Sequence, residues 1–475
     1  MADGIEEGAT LRLAVGRDNA AALHFIRKII TDVGGVPPGV SWQQAADAVR
    51  ALAWLQYAAG AGVTPKRIRQ HAAGDGPCTP SDGDGSCTRP EQKPPTERAP
   101  AEHTAIEGQL REARRYLRYA YGMYGWLILR GFGVLDVVPL ARPLVTSGPE
   151  VTQIELLTAM TGVAAADVLV LEVTTGTYSP AHAVMLDHAR REVVVVIRGS
   201  NDVHDFLTDL VCVHAAFDSA LGAGIAHAGM LKAAQRLLPA LTPTIDAALA
   251  AHVGYALVFT GHSLGAAIAA LMALMVGPRW IVGGRPAERG CSATGCSTGR
   301  GAAASVHAFT FGVPALVNLE LARAASGLVT SIVDGVDLCP RLGLATSIGL
   351  RESFVLLGAD PGLLGRVAAR REGQGSSGSV EPETSAADAA WASSILEWLE
   401  GEVRAILEAR GLQHLYPPGQ ILWRPAAGDG STATGAHRAW ILAEQEEFDS
   451  FLLRGTEIVT DHLGYPKALF GGSSP

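Results

Sequence analysis

The sequence predicts an α/β protein built on a largely parallel sheet with helices on both faces. Strand-like and helix-like stretches alternate from about residue 180 to residue 335, as they do when crossover helices join parallel strands. The strand-like runs EVVVVIR (192–198), GYALVFT (254–260) and LVTSIVD (328–334) are apolar in succession rather than alternating, as strands covered on both faces must be. Hydrophobic residues make up 48% of the 475 positions and charged ones 18%, enough to fill a large core over a length suited to two or three domains.

Helices are expected over 19–31 and 41–60. In the second, Trp42, Ala45, Val49, Leu52 and Leu55 recur at helical spacing. Residues 71–103 are rich in Gly, Pro, Asp and Ser, nearly devoid of large apolar side chains, and read as a flexible linker. Helical pattern returns at 105–130. AHAVMLD (181–187) and 192–198 form a hairpin across a polar turn. A helical stretch over 226–251 is expected to kink or divide near Pro239 and Pro243. Then follow strand 254–260, helix 263–276, strand 305–311, helix 315–325 and strand 328–334. An amphipathic helix at 388–410, short strands near 419–424 and 438–443, and a short helix after 462 complete the chain. Polar Gly-rich stretches interrupt it at 283–304 and 371–389. The expected division is an N-terminal helical region (1–70), a linker (71–104) and one α/β domain (105–475) carrying both insertions.

The formal net charge of −9 argues against a nucleic-acid partner, which needs a basic face. The opening MADGIEEGAT lacks the basic and apolar regions of a secretory leader, and no spanning helix is expected. The uncharged run Tyr119–Leu129, between Arg118 and Arg130, is too short to span a bilayer but suits a membrane surface. A cytoplasmic protein, peripheral at most, is the expectation. The six cysteines, at 78, 87, 212, 291, 296 and 339, match no C-x-x-C metal pattern and are expected to be reduced thiols.

The pattern G-x-S-x-G occurs twice, around Ser263 (GHSLG) and Ser297 (GCSTG). A nucleophile elbow needs a strand that delivers the serine, a helix that leaves it, and small flanking residues that permit the sharp turn. Ser263 has GYALVFT before it and AAIAALMALMV after it, whereas Ser297 lies in a Gly/Ser/Cys/Arg stretch with neither. The alternative for Ser263 is a simple helix cap. What decides between them is whether partners follow. In an elbow hydrolase the acid and then the base come later in the chain. DGVDLCPRLG, at the end of strand 328–334, offers Asp334 and Asp337; Asp337 lies further into the loop and is the better acid, with Asp334 suited to defining the turn. Three histidines remain: His414, His437 and His462. His462, after an apolar run near the C-terminus, is the candidate base, with His414 in reserve. The chemistry requires these types. A serine hydroxyl is a weak nucleophile until an imidazole takes its proton, and the imidazole needs a carboxylate to fix its tautomer. Oxyanion donors are expected from the backbone at Leu264 and from Gly199-Ser200 at the end of strand 192–198.

Taken in order, VVVVIRGS…DFLTDL (193–210), HAGMLKAA (227–234), VFTGHSLGAAIAAL (258–271), FTFGVPALVN (309–318), SIVDGVDLCPRLG (331–343) and DHLGY (461–465) resemble the class 3, fungal-lipase-like family. Within it the chain is most similar to sn-1-specific diacylglycerol lipases. YLRYAYGMYGW (116–126) resembles their tyrosine- and alanine-rich helix, and LYPPGQILW (415–423) their late strand entry. The resemblance implies an α/β-hydrolase fold over about 110–470, a triad of Ser263, Asp337 and His462, and an oxyanion hole at Ser200 and Leu264. It also implies a lid near 201–211 and a gating insertion at 283–304. Animal relatives have four membrane-spanning helices at the front, and this sequence shows none. The implied activity is hydrolysis of an acyl ester of a glycerolipid, diacylglycerol above all, at a membrane or lipid-droplet surface. The chemistry requires no cofactor; neither calcium dependence nor oligomeric state can be read from these motifs. Phospholipase A1 or galactolipase activity on the same fold, and a catalytically silent scaffold, are the alternatives. Asp205 reads as a helix-end charge, Asp209 is open, and His227 and His262 read as structural.

Overall fold

The computed structural model describes residues 31, 35, 42–61, 100–131, 133–144, 151–200, 213–282, 303–373, 385–426, 439–453 and 457–471. Its strands are β1 (Val168–Glu172), β2 (His182–Asp187), β3 (Glu192–Ile197), β4 (His214–Ser219), β5 (Gly222–His227), β6 (Ala256–His262), β7 (Arg279–Ile281), β8 (Ala303–Phe311), β9 (Val329–Asp334), β10 (Gln420–Arg424) and β11 (Ile441–Ala443). The main sheet runs β1-β2-β3-β6-β8-β9-β10-β11, with β7 beside β8. Its centre, β3-β6-β8-β9-β10, is parallel. The edges are antiparallel, through the expected β2–β3 hairpin on one side and β11 on the other.

The helices that matter below are α1 (Trp42–Ala58), α2 (Pro100–Gly122), α3 (Gln153–Thr161), α4 (Ala228–Ala251), α5 (Leu264–Val276), α6 (Leu344–Gly358), α7 (Pro361–Gly373), α8 (Ala386–Ala409), α9 (Glu457–Leu463) and α10 (Tyr465–Phe470). Side chains alternate across a strand, so β3 divides its valines between two cores. Val193, Val195 and Ile197 face α4 and α5, with Leu237, Leu241 and Ile245 opposite. Val194 and Val196 face α2 and α3, with Leu117, Leu156 and Met160 opposite. This is the α/β-hydrolase arrangement, and it explains why those strands carry no polar alternation.

Helix α1 joins the first core through Leu52 and Leu55 and packs on α6 and α8. Its Gln56 donates to the Phe451 carbonyl at 2.7 Å and accepts from the Leu453 N–H at 2.8 Å. The aromatic run of α2 also turns inward. Tyr116 donates to Glu192 at 2.9 Å, Tyr119 donates to Asp187 at 2.6 Å, and Arg115 pairs with the same Asp187.

Several features depart from the sequence reading: the helix expected over 105–130 ends at Gly122 and a short one follows at Trp126–Gly131, and that expected over 315–325 is confined to Leu319–Ala324. Helix α4 is continuous through Pro239 and Pro243 rather than divided. Both prolines lie on its exposed face, where water can satisfy the carbonyls that lose their N–H partners. The hairpin β4–β5, a separate two-stranded sheet, was not anticipated. The inserted stretches are trimmed by regular structure: β8 begins at Ala303, α7 ends at Gly373 and α8 begins at Ala386. Nearly all of helix 19–31, most of the linker, and residues 283–302 and 374–384 lie outside the described residues. Among the described residues no helix is long and apolar enough to cross a membrane.

Candidate active site

The site assembles at the C-terminal ends of the parallel strands, where open α/β sheets place their ligands. β6 delivers Ser263 with φ 61° and ψ −127°, outside the comfortable range of a residue with a Cβ. Such strain costs on the order of 1–3 kcal/mol and persists only where neighbours enforce it. Here the Ser263 N–H donates to the Phe311 carbonyl at 2.9 Å, and the turn is pressed against the end of β3. A methyl group on Gly265 would lie 2.8 Å from the carbonyl carbons of both Ile197 and Arg198, and one on Gly261 would strike the Gly265 carbonyl. That is the physical content of the two glycines in GHSLG.

Ser263 Oγ lies 2.9 Å from His462 Nε2. His462 Nδ1 lies 3.0 and 3.1 Å from the two carboxylate oxygens of Asp337. All three side chains are buried, Asp337 completely. Asp337 also accepts from the Tyr465 hydroxyl at 2.6 Å and the Cys339 N–H at 2.9 Å. Burial pushes its pKa up. Its interaction with His462 and these hydrogen bonds outweigh burial, leaving it below the ordinary carboxylate value and ionised.

The turn before Asp337 is built to hold it. Asp334 is engaged by Arg424, Nε to Oδ1 at 2.7 Å and Nη2 to Oδ2 at 2.9 Å, which clamps the end of β9 to β10. Gly335 turns with φ 53°; its carbonyl accepts from Trp423 Nε1 at 2.8 Å. The next N–H, of Val336, donates to Asp461 at 2.9 Å. Asp461 precedes His462 on α9, so one contact docks the helix that carries the imidazole.

His262 Nε2 lies 2.9 Å from the His462 carbonyl, and its Nδ1 lies 2.8 Å from the Tyr124 hydroxyl. Burial, reinforced by His462, lowers its pKa to about 3, so it is neutral and no second base. Cys339 Sγ lies 3.6 Å from His462 Nε2. Burial pushes that thiol well up, which leaves it protonated and a poor rival nucleophile. Asp337, Cys339 and His462 are close enough to share a metal ion. Both nitrogens of His462, however, are already engaged by Asp337 and Ser263, an arrangement suited to moving a proton.

Ser200 lies three residues past the end of β3. A methyl on the neighbouring Gly199 would sit 2.6 Å from the His262 carbonyl oxygen and 3.2 Å from Ser263 Cβ, so this loop passes beside the serine. Leu264 opens α5, and first-turn N–H groups have no intrahelical acceptor. Asp205, Asp209 and the lid segment, Ser297 and His437 lie outside the described residues. His227 caps α4, accepting from the Met230 N–H at 3.4 Å. His414 lines a separate cavity of about 460 Å³ beside Leu350, Leu399 and Arg404, which none of Ser263, Asp337 and His462 reaches. The sequence reading passed over Asp461, Tyr465, Arg424 and Tyr124. Only the adjacency of Asp461 and Tyr465 to His462 in DHLGY hinted at any of them.

A strained serine between a parallel strand and its helix, backed by histidine and carboxylate, places the protein among the α/β-hydrolases. Residues 194–346 match the family Lipase (class 3). It is similar to diacylglycerol lipase-beta of Mus musculus, 25% identical over 274 residues that cover 54% of this chain and 37% of that protein. Secreted mono- and diacylglycerol lipase 1 of Fusarium solani is 36% identical over 90 residues, 19% of this chain and 27% of that one. Among solved structures, Rhizomucor miehei triacylglyceride lipase aligns with a TM-score of 0.35 and 18% identity, covering 50% of this chain and 74% of that one. The chain thus spans well under two thirds of the length of the curated relatives it matches.

Proposed function

We propose that this chain is a serine esterase that hydrolyses an acyl ester of a glycerolipid, converting diacylglycerol to monoacylglycerol and a free fatty acid. The observation that carries the reading is the unbroken line Ser263 Oγ to His462 at 2.9 Å to Asp337 at 3.0 Å, set in a strained elbow. His462 takes the Ser263 proton as Oγ adds to the ester carbonyl, and ionised Asp337 stabilises the imidazolium. The backbone N–H groups of Leu264 and Ser200 receive the negative charge on the former carbonyl oxygen. The intermediate collapses as His462 returns the proton to the departing glyceride oxygen, leaving an acyl-enzyme. Water, deprotonated by the same imidazole, attacks the acyl carbon; His462 then protonates Oγ and the fatty acid leaves. These steps use side chains, backbone and water alone.

The relatives named as diacylglycerol lipases support that substrate, which partitions into membranes or droplets, so the reaction takes place at a lipid surface. The test is a product assay on vesicles carrying diacylglycerol, phospholipid and galactolipid together. Monoacylglycerol and fatty acid from diacylglycerol, lost in Ser263→Ala, is the expected result. Preferential cleavage of the phospholipid or galactolipid would overturn the substrate, and activity surviving in Ser263→Ala would overturn the mechanism.

A further inference from the structure

Tyr124 lies in the turn after α2, seventy residues before the matched lipase segment, yet its hydroxyl reaches the centre of the site. Two atoms fix the direction of its hydrogen bonds. His262 Nε2 faces the His462 carbonyl at 2.9 Å, and a carbonyl can only accept, so Nε2 carries the ring proton. Nδ1 of this neutral ring then holds the lone pair, and the Tyr124 hydroxyl at 2.8 Å must donate to it. The phenol oxygen is left with its lone pairs facing the end of β3. There it abuts Gly199: an added methyl would collide with it, and the Gly199 N–H, with the Arg198 charge, opposes the rise that burial imposes on the phenol.

The ring of His262 is enclosed by those of Tyr121, Tyr124, Tyr465 and His462, with centroids 4.7–5.7 Å away. It has no room to rotate to another partner.

We infer that Tyr124 is a positioning residue: one hydroxyl holds the oxyanion loop at Gly199-Ser200 and, through His262, the backbone of the base His462 in mutual register. Its hydroxyl bonds His262, while Ser263 Oγ bonds His462. Four chain segments, at Tyr124, Gly199-Ser200, His262 and His462, meet in this relay, and the turn after α2 becomes part of the catalytic unit rather than a cover for it. The inference rests on the esterase reading above. Its physical basis is that misplacement of catalytic groups by about 1 Å costs on the order of 100-fold in rate.

The test compares wild type, Tyr124→Phe and Tyr119→Phe. Tyr119 is a buried tyrosine of the preceding helix α2, whereas Tyr124 is half-buried in the turn after it; the Tyr119 hydroxyl serves only the hairpin through Asp187. Each variant is assayed for fluorophosphonate labelling rate, for kcat and KM on a soluble short-chain ester, for inhibition by a trifluoromethyl ketone that forms an oxyanion, and for Tm. Tyr124→Phe should label about 10- to 100-fold more slowly, with kcat and ketone affinity falling together and KM little changed. Tyr119→Phe should lower Tm with rates intact. Equal labelling of wild type and Tyr124→Phe, or equal slowing by both substitutions, would overturn the inference and leave the esterase reading standing. A folded wild type that neither labels nor hydrolyses would overturn both.

Discussion

Replacing Gly265 with alanine separates rate from stability at the elbow. The added methyl would stand 2.8 Å from two carbonyl carbons at the end of β3, and closer still to the Ile197 carbonyl oxygen. Carbon pairs settle at about 3.5–4.0 Å, so either β3 or the first turn of α5 must retreat by about 1 Å. Neither is free, since α5 is buried from Gly265 to Leu274. Overpacking of this kind costs about 1–3 kcal/mol. With an unfolding entropy of about 2.1 cal/mol/K per residue, 475 residues give on the order of 1 kcal/mol/K, so Tm should fall by only about 1–3 °C. The same shift moves Gly199-Ser200 and Leu264 away from the position of the oxyanion, and kcat should fall about 100-fold. Short-chain ester hydrolysis and a thermal melt, run on the same preparation, measure both. Gly327→Ala, where the methyl meets nothing within 4 Å, should behave as wild type. Full activity in Gly265→Ala would refute the argument that contact between β3 and the elbow sets the oxyanion geometry.

Asp337→Asn should leave the fold intact and reduce kcat by about four orders of magnitude, because a neutral amide holds His462 in the wrong tautomer; steady-state kinetics check this. Arg424→Met strands the buried Asp334 carboxylate and should cost about 3–5 kcal/mol, read by denaturant unfolding. Acid should destabilise the protein through His262. Its pKa falls from 6.5 in the unfolded chain to about 3 in the folded one, so its contribution is complete above pH 6.5 and is lost as pH falls toward 3. Unfolding free energy followed over that window should decline less steeply in His262→Gln.

The elbow was legible because its signal is local. An apolar strand and an alanine-rich helix flank GHSLG, and both patterns survive in the structure as β6 and α5. Chain order left Asp334 or Asp337 and three histidines; place in the loop past the strand and near the C-terminus favoured Asp337 and His462, and the structure brings both to Ser263. What stayed hidden depends on distance along the chain or on weak patterning. The β4–β5 hairpin is short and built largely from alanine and glycine, which give little strand signal. Helix α6 is buried on several sides and shows no clear apolar stripe. The pairing of Arg424 with Asp334 spans 90 residues and that of Tyr124 with His262 spans 138, so no periodicity could join them. The prolines of α4 do not divide it because both face outward, where water can reach the carbonyls that lose their N–H partners.

The central claim is that Ser263 is the nucleophile. Intact protein treated with a fluorophosphonate and mapped by peptide mass spectrometry tests it directly. The account predicts one adduct, on the peptide containing Ser263, absent from a folded Ser263→Ala variant. An adduct that persists in that variant, on Ser297 or elsewhere, or no adduct on folded wild type, would contradict it.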